Sequence, residues 1–128
     1  MTKYNYSTGK IYCIKAKGCE KCYVGHTIQP LSVRLTKHKT DFKGFYGIDK
    51  LKPRNYRGSF EILCEGDFDI FLLQDFPCEN KKELEKQESK WIFKMSSVYE
   101  MTNKNMPAKI GYEDIEDIKN LQIPTLIS

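Results

Sequence analysis

Residues 10–28 read KIYCIKAKGCEKCYVGHTI, and this stretch decides the fold. Lys10–Ala16 is rich in β-branched and aromatic side chains, the composition of a strand. Lys17 and Gly18 turn the chain, and residues 22–28 repeat the strand character. A β-hairpin is predicted, closed by a loop of about five residues. Tyr12 and Tyr23 fall near the middle of the two strands, where the plain reading of each is a core aromatic. Gly25 weakens a strand unless something must approach its backbone closely.

Outward from the hairpin, Gln29 and Pro30 open a helix running to about Lys43, with proline suited to the first turn. Residues 44–58 carry three glycines and one proline among basic and aromatic side chains and read as loop. Residues 59–66 suit either a short helix or a strand. Residues 67–76 (DFDIFLLQDF) form a third strand, whose apolar centre is expected to be buried on both faces and which Pro77 ends. Asn80 with Glu83 three residues on resembles a capping box, and the helix it opens runs to about Ser96. A loop at 102–107 and a short acidic helix at 113–121, before Pro124, complete the chain. Residues 1–9 are expected to be a short flexible lead, 10–107 the domain, and 108–128 a C-terminal extension. The class is α+β, a small mixed sheet with helices packed on it.

At 128 residues the chain suits one domain with a modest core. Its apolar runs are too short to span a membrane, and its polar beginning, MTKYNYSTGK, lacks a secretory h-region. An intracellular protein, in cytoplasm or nucleus, is expected, and its five cysteines are expected to be free thiols. Charge is unevenly spread. Residues 1–58 hold 13 Lys/Arg against 3 Asp/Glu, a balance of +10; residues 59–128 hold 8 against 14, a balance of −6. One half is thus a surface for polyanions, unless it is only a solvated basic face.

Two helices carry polar groups on the stripe that should be buried. Leu84, Trp91, Ile92 and Met95 mark the stripe of the later helix, and Glu88 lies on it. A buried carboxylate needs a cation, a metal or a proton. Taken alone, a pairing with a core arginine is the plainer account. In the first helix the stripe is Leu31, Leu35 and Phe42; His38 falls on it, and Arg34 lies one turn earlier on the same side. Singly, His38 reads as a satisfied core histidine and Arg34 as a surface cation. Two helices offering such groups together point to a site.

Lys10-Ile11-Tyr12, then Tyr23-Val24-Gly25, Arg34, His38, Glu88 and Asn103, in that order and spacing, resemble the GIY-YIG nuclease family over roughly residues 10–107. The matching runs are KIYCI, CYVGHT, LSVRLTKHK, KKELEKQESKWI and TNKNMP; Lys10 stands where the family's first glycine usually does. The resemblance implies a three-stranded antiparallel sheet flanked by helices. It implies a DNA endonuclease, dependent on Mg²⁺ with Mn²⁺ as a substitute, that leaves 3′-hydroxyl and 5′-phosphate ends. Such enzymes serve repair, recombination or the processing of mobile or viral DNA. The competing class is a non-catalytic nucleic-acid-binding module that keeps the fold.

By that resemblance Tyr12 and Tyr23 are the signature tyrosines, Arg34 the catalytic arginine, His38 its helix neighbour, Glu88 the metal ligand and Asn103 the late asparagine. His26 is an accessory candidate. The chemistry agrees: phosphodiester hydrolysis needs an in-line water and stabilisation of extra negative charge. One carboxylate suits a Mg²⁺ that keeps most of its waters, and an arginine presents a donor fork to phosphate oxygens. Tyr12 is the expected general base, assisted by His26 or His38, with nearby cations lowering its pKa. The four groups Tyr12, Tyr23, Arg34 and Glu88 are expected on one concave surface.

DNA is the expected partner, with a protein partner able to supply targeting. The side chains expected to meet it are Lys37, Lys39, Lys43, Lys50, Lys52, Arg54 and Arg57, interleaved with Phe42, Phe45, Tyr46 and Tyr56. Cys19 and Cys22 have zinc-ligand spacing but no second pair, so free thiols in a hairpin loop are the stronger reading.

Overall fold

A computed structural model describes residues 5–47 and 57–126. The hairpin forms with β1 at Lys10–Ala16 and β2 at Lys21–Thr27, paired so that Ile11 faces His26 and Tyr12 faces Gly25 across the ladder. The loop between them occupies residues 17–20, one fewer than expected because Lys21 already pairs. The β-branched and aromatic composition of β1 suits the place it takes, the centre of the sheet, where six of its seven residues are buried.

Two features of the sheet differ from expectation. β3, Phe68–Asp75, pairs antiparallel with the other side of β1 and lies at an edge. Its apolar centre is therefore not buried on both faces; Leu72 is 40% exposed. An apolar run does not distinguish a central strand from an edge strand. Second, the sheet is four-stranded in the order β3-β1-β2-β4. β4, only Glu100–Met101, runs parallel to β2 at Lys21 and Cys22. The three-stranded antiparallel sheet implied by the resemblance is thus extended into a mixed one. Two residues carry no periodicity to announce a strand. Their pairing is fixed from afar by Glu100 N–H to Glu20 O, 3.0 Å, and Thr102 N–H to Cys22 O, 2.9 Å.

Strand alternation sends side chains to two cores. Tyr12, Ile14 and Ala16 face helices α1 (Leu31–Phe45) and α2 (Ser59–Leu63). Ile11, Cys13, Cys22 and Val24 face α3 (Lys81–Met95), which presents Leu84, Trp91, Ile92 and Met95 to them. Burying each such side chain stabilises the fold by about 1.5–3 kcal/mol. α1 runs two residues past its expected end, through Gly44 and Phe45, and residues 59–63 resolve as helix. α3 begins where Asn80 accepts a bond from Glu83 N–H at 3.0 Å; the Glu83 carboxylate reaches back to Glu79 N–H rather than to Asn80. On β3, Gln74 accepts bonds from Trp91 at 2.8 Å and Gln87 at 2.7 Å, which fixes α3 across the sheet.

The flanks pack onto this frame. Of the lead expected to be flexible, residues 5–9 form a 3₁₀ turn, Tyr6–Thr8, capped by Asn5. Thr8 Oγ1 donates to Ile28 O at 2.7 Å and Cys78 N–H to Tyr6 O at 3.0 Å. The acidic segment forms a 3₁₀ turn at Tyr112–Asp114 and helix α4 at Ile115–Asn120, tied to α3 by Lys86–Asp114 and Lys90–Asp117. Among the described residues no helix is long and apolar enough to cross a membrane.

Candidate active site

The α1 face holds a chain of hydrogen bonds. Arg34 Nε donates to the Tyr12 hydroxyl at 3.0 Å, Tyr12 meets His38 Nε2 at 2.8 Å, and His38 Nδ1 meets Ser59 Oγ at 2.8 Å. Helical spacing puts Arg34 and His38 one turn apart, so both reach the same strand residue. Burial, then the nearby guanidinium groups of Arg34 and Arg57, lower the His38 pKa to about 3, so the ring is neutral. Since Tyr12 already accepts from Arg34, its own proton has His38 Nε2 as acceptor, and His38 Nδ1–H donates to Ser59. Gly25 makes the arrangement sterically possible: a Cβ there would collide with the Tyr12 hydroxyl.

Tyr12 is wholly buried, and that burial raises its pKa well above the usual phenol value despite Arg34. Two physical features count against Tyr12, rather than His26 or His38, as the general base. Its hydroxyl meets no solvent, and its cations do not outweigh desolvation. It instead fixes Arg34. In return, burial works against the Arg34 charge, but the oxygens of Tyr12 and Tyr23 and the Asp41 carboxylate raise its pKa overall.

On the α3 face, Glu88 accepts a 2.6 Å bond from His26 Nδ1. Glu88 is buried as its stripe position requires, and its partner is this histidine rather than a core arginine. With Nδ1–H donated to the carboxylate, Nε2 of His26 makes no bond to another described residue. Of the four expected groups, Tyr23 and Glu88 line one cleft and Arg34 lines another. A cleft of about 230 Å³ is lined by Tyr23, Glu88, Asn103 and Arg57, and a second, about 430 Å³, by Arg34 and His26. The Glu88–His26 pair joins the two. Tyr23 packs edge-on to His38 at 5.5 Å, and burial and the Glu88 charge raise its pKa.

Asn103 does not offer its amide to a ligand. Its Oδ1 accepts from Val24 N–H at 3.0 Å and its Nδ2 donates to Val24 O at 2.7 Å, which continues the pairing of β2 beyond β4. Gly58 lets α2 start against that loop, since a Cβ would strike Thr102 O. Arg57 is thereby brought into the smaller cleft, where Asp41 holds its Nε at 3.0 Å. Lys37 lies 3.5 Å from the same carboxylate. Lys37, Lys39 and Lys43 are exposed along α1, whereas Lys50, Lys52 and Arg54 lie outside the described residues.

Two contributors escape a reading of the sequence. Asp41 sits three residues after His38 and seven after Arg34, a spacing that places it on their helix face and was the available signal. Ser59 gives none. Of the two cysteines with zinc-ligand spacing, Cys22 is buried against α3 and Cys19 packs towards the other core, and among the described residues no group of three metal-binding side chains occurs. No family model, curated protein or solved structure matches the chain.

Proposed function

We propose that the chain is a divalent-metal-dependent DNA endonuclease of the GIY-YIG kind, leaving 3′-hydroxyl and 5′-phosphate ends. The observation that carries this reading is a cleft lined by both a fixed guanidinium, Arg34, and His26, the histidine paired to the Glu88 carboxylate. Arg34 spends one donor on Tyr12 and keeps its Nη hydrogens for phosphate oxygens. His26 Nε2 takes the proton of the attacking water, while Glu88 holds the ring in the required tautomer. Tyr12 and His38 position Arg34; Arg57, held by Asp41, adds a second guanidinium to the phosphate path.

The residues present fit Mg²⁺ or Mn²⁺. Glu88 uses one oxygen for His26, and its second makes no bond to another described residue. A single carboxylate with water ligands is an ordinary Mg²⁺ site, whereas Asn103 is committed to β2. When bound, such a cation supplies Lewis-acid stabilisation of the charge that builds on the phosphate. The natural setting remains that implied by the resemblance, in repair, recombination or mobile or viral DNA processing.

The test is incubation with supercoiled plasmid and branched DNA, with Mg²⁺ or with EDTA, beside Arg34→Ala. Nicking that needs the cation and Arg34 is expected. Binding without cleavage under either Mg²⁺ or Mn²⁺ would leave the non-catalytic nucleic-acid-binding module.

A further inference from the structure

The larger cleft lies between the N-terminal turn, the end of β2 and the start of α3, and the proposed reaction uses only its inner wall. Beside Arg34 and His26, its lining includes Tyr6, Ile28, Leu84 and Lys81, with the polar Thr27 and Gln29 between. No acidic side chain among the described residues lines it. Leu84 is fully buried and forms an apolar floor, Tyr6 supplies a half-buried aromatic wall, and Lys81 is an exposed cation at the rim. At about 430 Å³ the cleft falls in the size range of small-ligand sites, roughly 300–1,000 Å³.

The aromatic wall is fixed in place. Tyr6 O accepts from Gly9 N–H at 3.1 Å and Cys78 N–H at 3.0 Å, while Thr8 ties the turn to Ile28. A turn whose backbone is closed by one bond and tied by two more to two other parts of the chain holds the base of this wall in place, which lowers the ordering cost of binding. An apolar floor, an aromatic side and two lining cations, Arg34 and Lys81, match one chemical class, a nucleotide whose base is unstacked. Paired bases inside a duplex present no free face to such a wall.

We propose that this cleft receives one unpaired nucleotide next to the scissile phosphate, with its base against Tyr6 and Leu84 and its phosphate between Arg34 and Lys81. The assignment rests on the nuclease reading and names its substrate class: DNA with a frayed, flapped or branched end at the cut. It also gives the N-terminal turn a function beyond covering the core.

The test uses the full chain without metal, titrated with thymidine 5′-monophosphate and followed by amide NMR. Shifts are expected to concentrate at Tyr6, Ile28 and Leu84. Lys81→Glu, a rim substitution that leaves the core untouched, should weaken binding about tenfold, and Tyr6→Ala by a similar factor through loss of the base–aromatic stack. Tyr6→Phe keeps the ring and should bind as the parent does; it decides the matter if Tyr6→Ala fails to fold. In the cleavage arm, Lys81→Glu should lower kcat/KM on flapped DNA about tenfold while sparing uninterrupted duplex, because one phosphate is left without its cation. Shifts elsewhere, or unchanged affinity in Lys81→Glu, overturn the assignment. Cleavage by a chain whose cleft takes no nucleotide overturns the subsite alone; a nucleotide bound by a chain that cuts no DNA overturns the nuclease reading.

Discussion

The two faces of the sheet treat their polar groups in opposite ways. On the α1 face, Arg34, Tyr12, His38 and Ser59 form a closed chain whose inner members are buried, uncharged and fully bonded. On the α3 face, His26 and Glu88 form a pair whose side chains are 24% and 11% exposed, with an oxygen and a nitrogen still to spend. The difference separates support from reaction. A group that must exchange protons or ligands needs access, and a group that must hold another in place benefits from burial. On the proposed nuclease reading, Tyr12 and His38 belong to the support.

If that division is right, the largest effect falls on the open side. Glu88→Gln should reduce cleavage by roughly 10²–10⁴-fold, the range for lost acid–base and charge-positioning groups, while DNA binding is retained. Its melting temperature should stay close to the parent's, because an amide oxygen still accepts from His26. A variant that melts far lower yet nicks DNA with Mg²⁺ would move Glu88 to the support side.

On the closed side the main loss should be stability. Gly25→Ala forces a methyl against the Tyr12 hydroxyl and should cost about 1–3 kcal/mol by denaturant titration. Tyr12→Phe should cost a similar 1–3 kcal/mol, since it strands His38 Nε2 without a partner. Its activity should fall through a loosened Arg34, with kcat reduced more than binding. Equal activity in Tyr12→Phe and parent would break the distinction.

The closed side also predicts a pH response. The folded His38 pKa, about 3, lies below the ordinary 6.5. Below pH 6.5 the unfolded chain takes up a proton that the folded chain refuses. Stability from this group is therefore complete above 6.5 and declines as pH falls towards 3, by at most ~1.4 kcal/mol for each pH unit. His38→Gln should flatten that decline in melts taken between pH 6 and 4.

The smallest effect concerns the basic stretch. Replacing Lys50, Lys52, Arg54 and Arg57 by serine should lower the log–log salt slope of duplex binding by about 0.9 for each phosphate no longer neutralised. An unchanged slope would make these residues solvated surface. Arg57→Ser by itself should account for about one phosphate of that total.

How far the sequence discloses this division can be traced residue by residue. Strand composition bounds β1 correctly, and the Asn80–Glu83 pair locates the start of α3. Helical spacing brings Arg34 and His38 to one side, and the stripe of α3 buries Glu88. What spacing does not reveal is which groups meet across the sheet. That Glu88 pairs with His26, that Ser59 closes the chain behind His38 and that β4 exists at all depend on the meeting of distant segments. Tyr12 shows the limit most clearly. Its motif position suggests chemistry, whereas its role follows from burial, which is a property of the whole fold.

The Asn103 clasp on Val24 has a kinetic side. It joins residues 79 apart in the chain, so the entropy of closing that long loop must be met before the two bonds can form. The hairpin, by contrast, closes across neighbouring residues. The wall that Asn103 contributes to the smaller cleft is thus expected to assemble after the sheet centre and to open before it. The Val24 amide, whose acceptor is that side chain, becomes a reporter for this seam. It should exchange with solvent faster than the β1 amides paired with β3, at a rate set by local opening rather than by global unfolding.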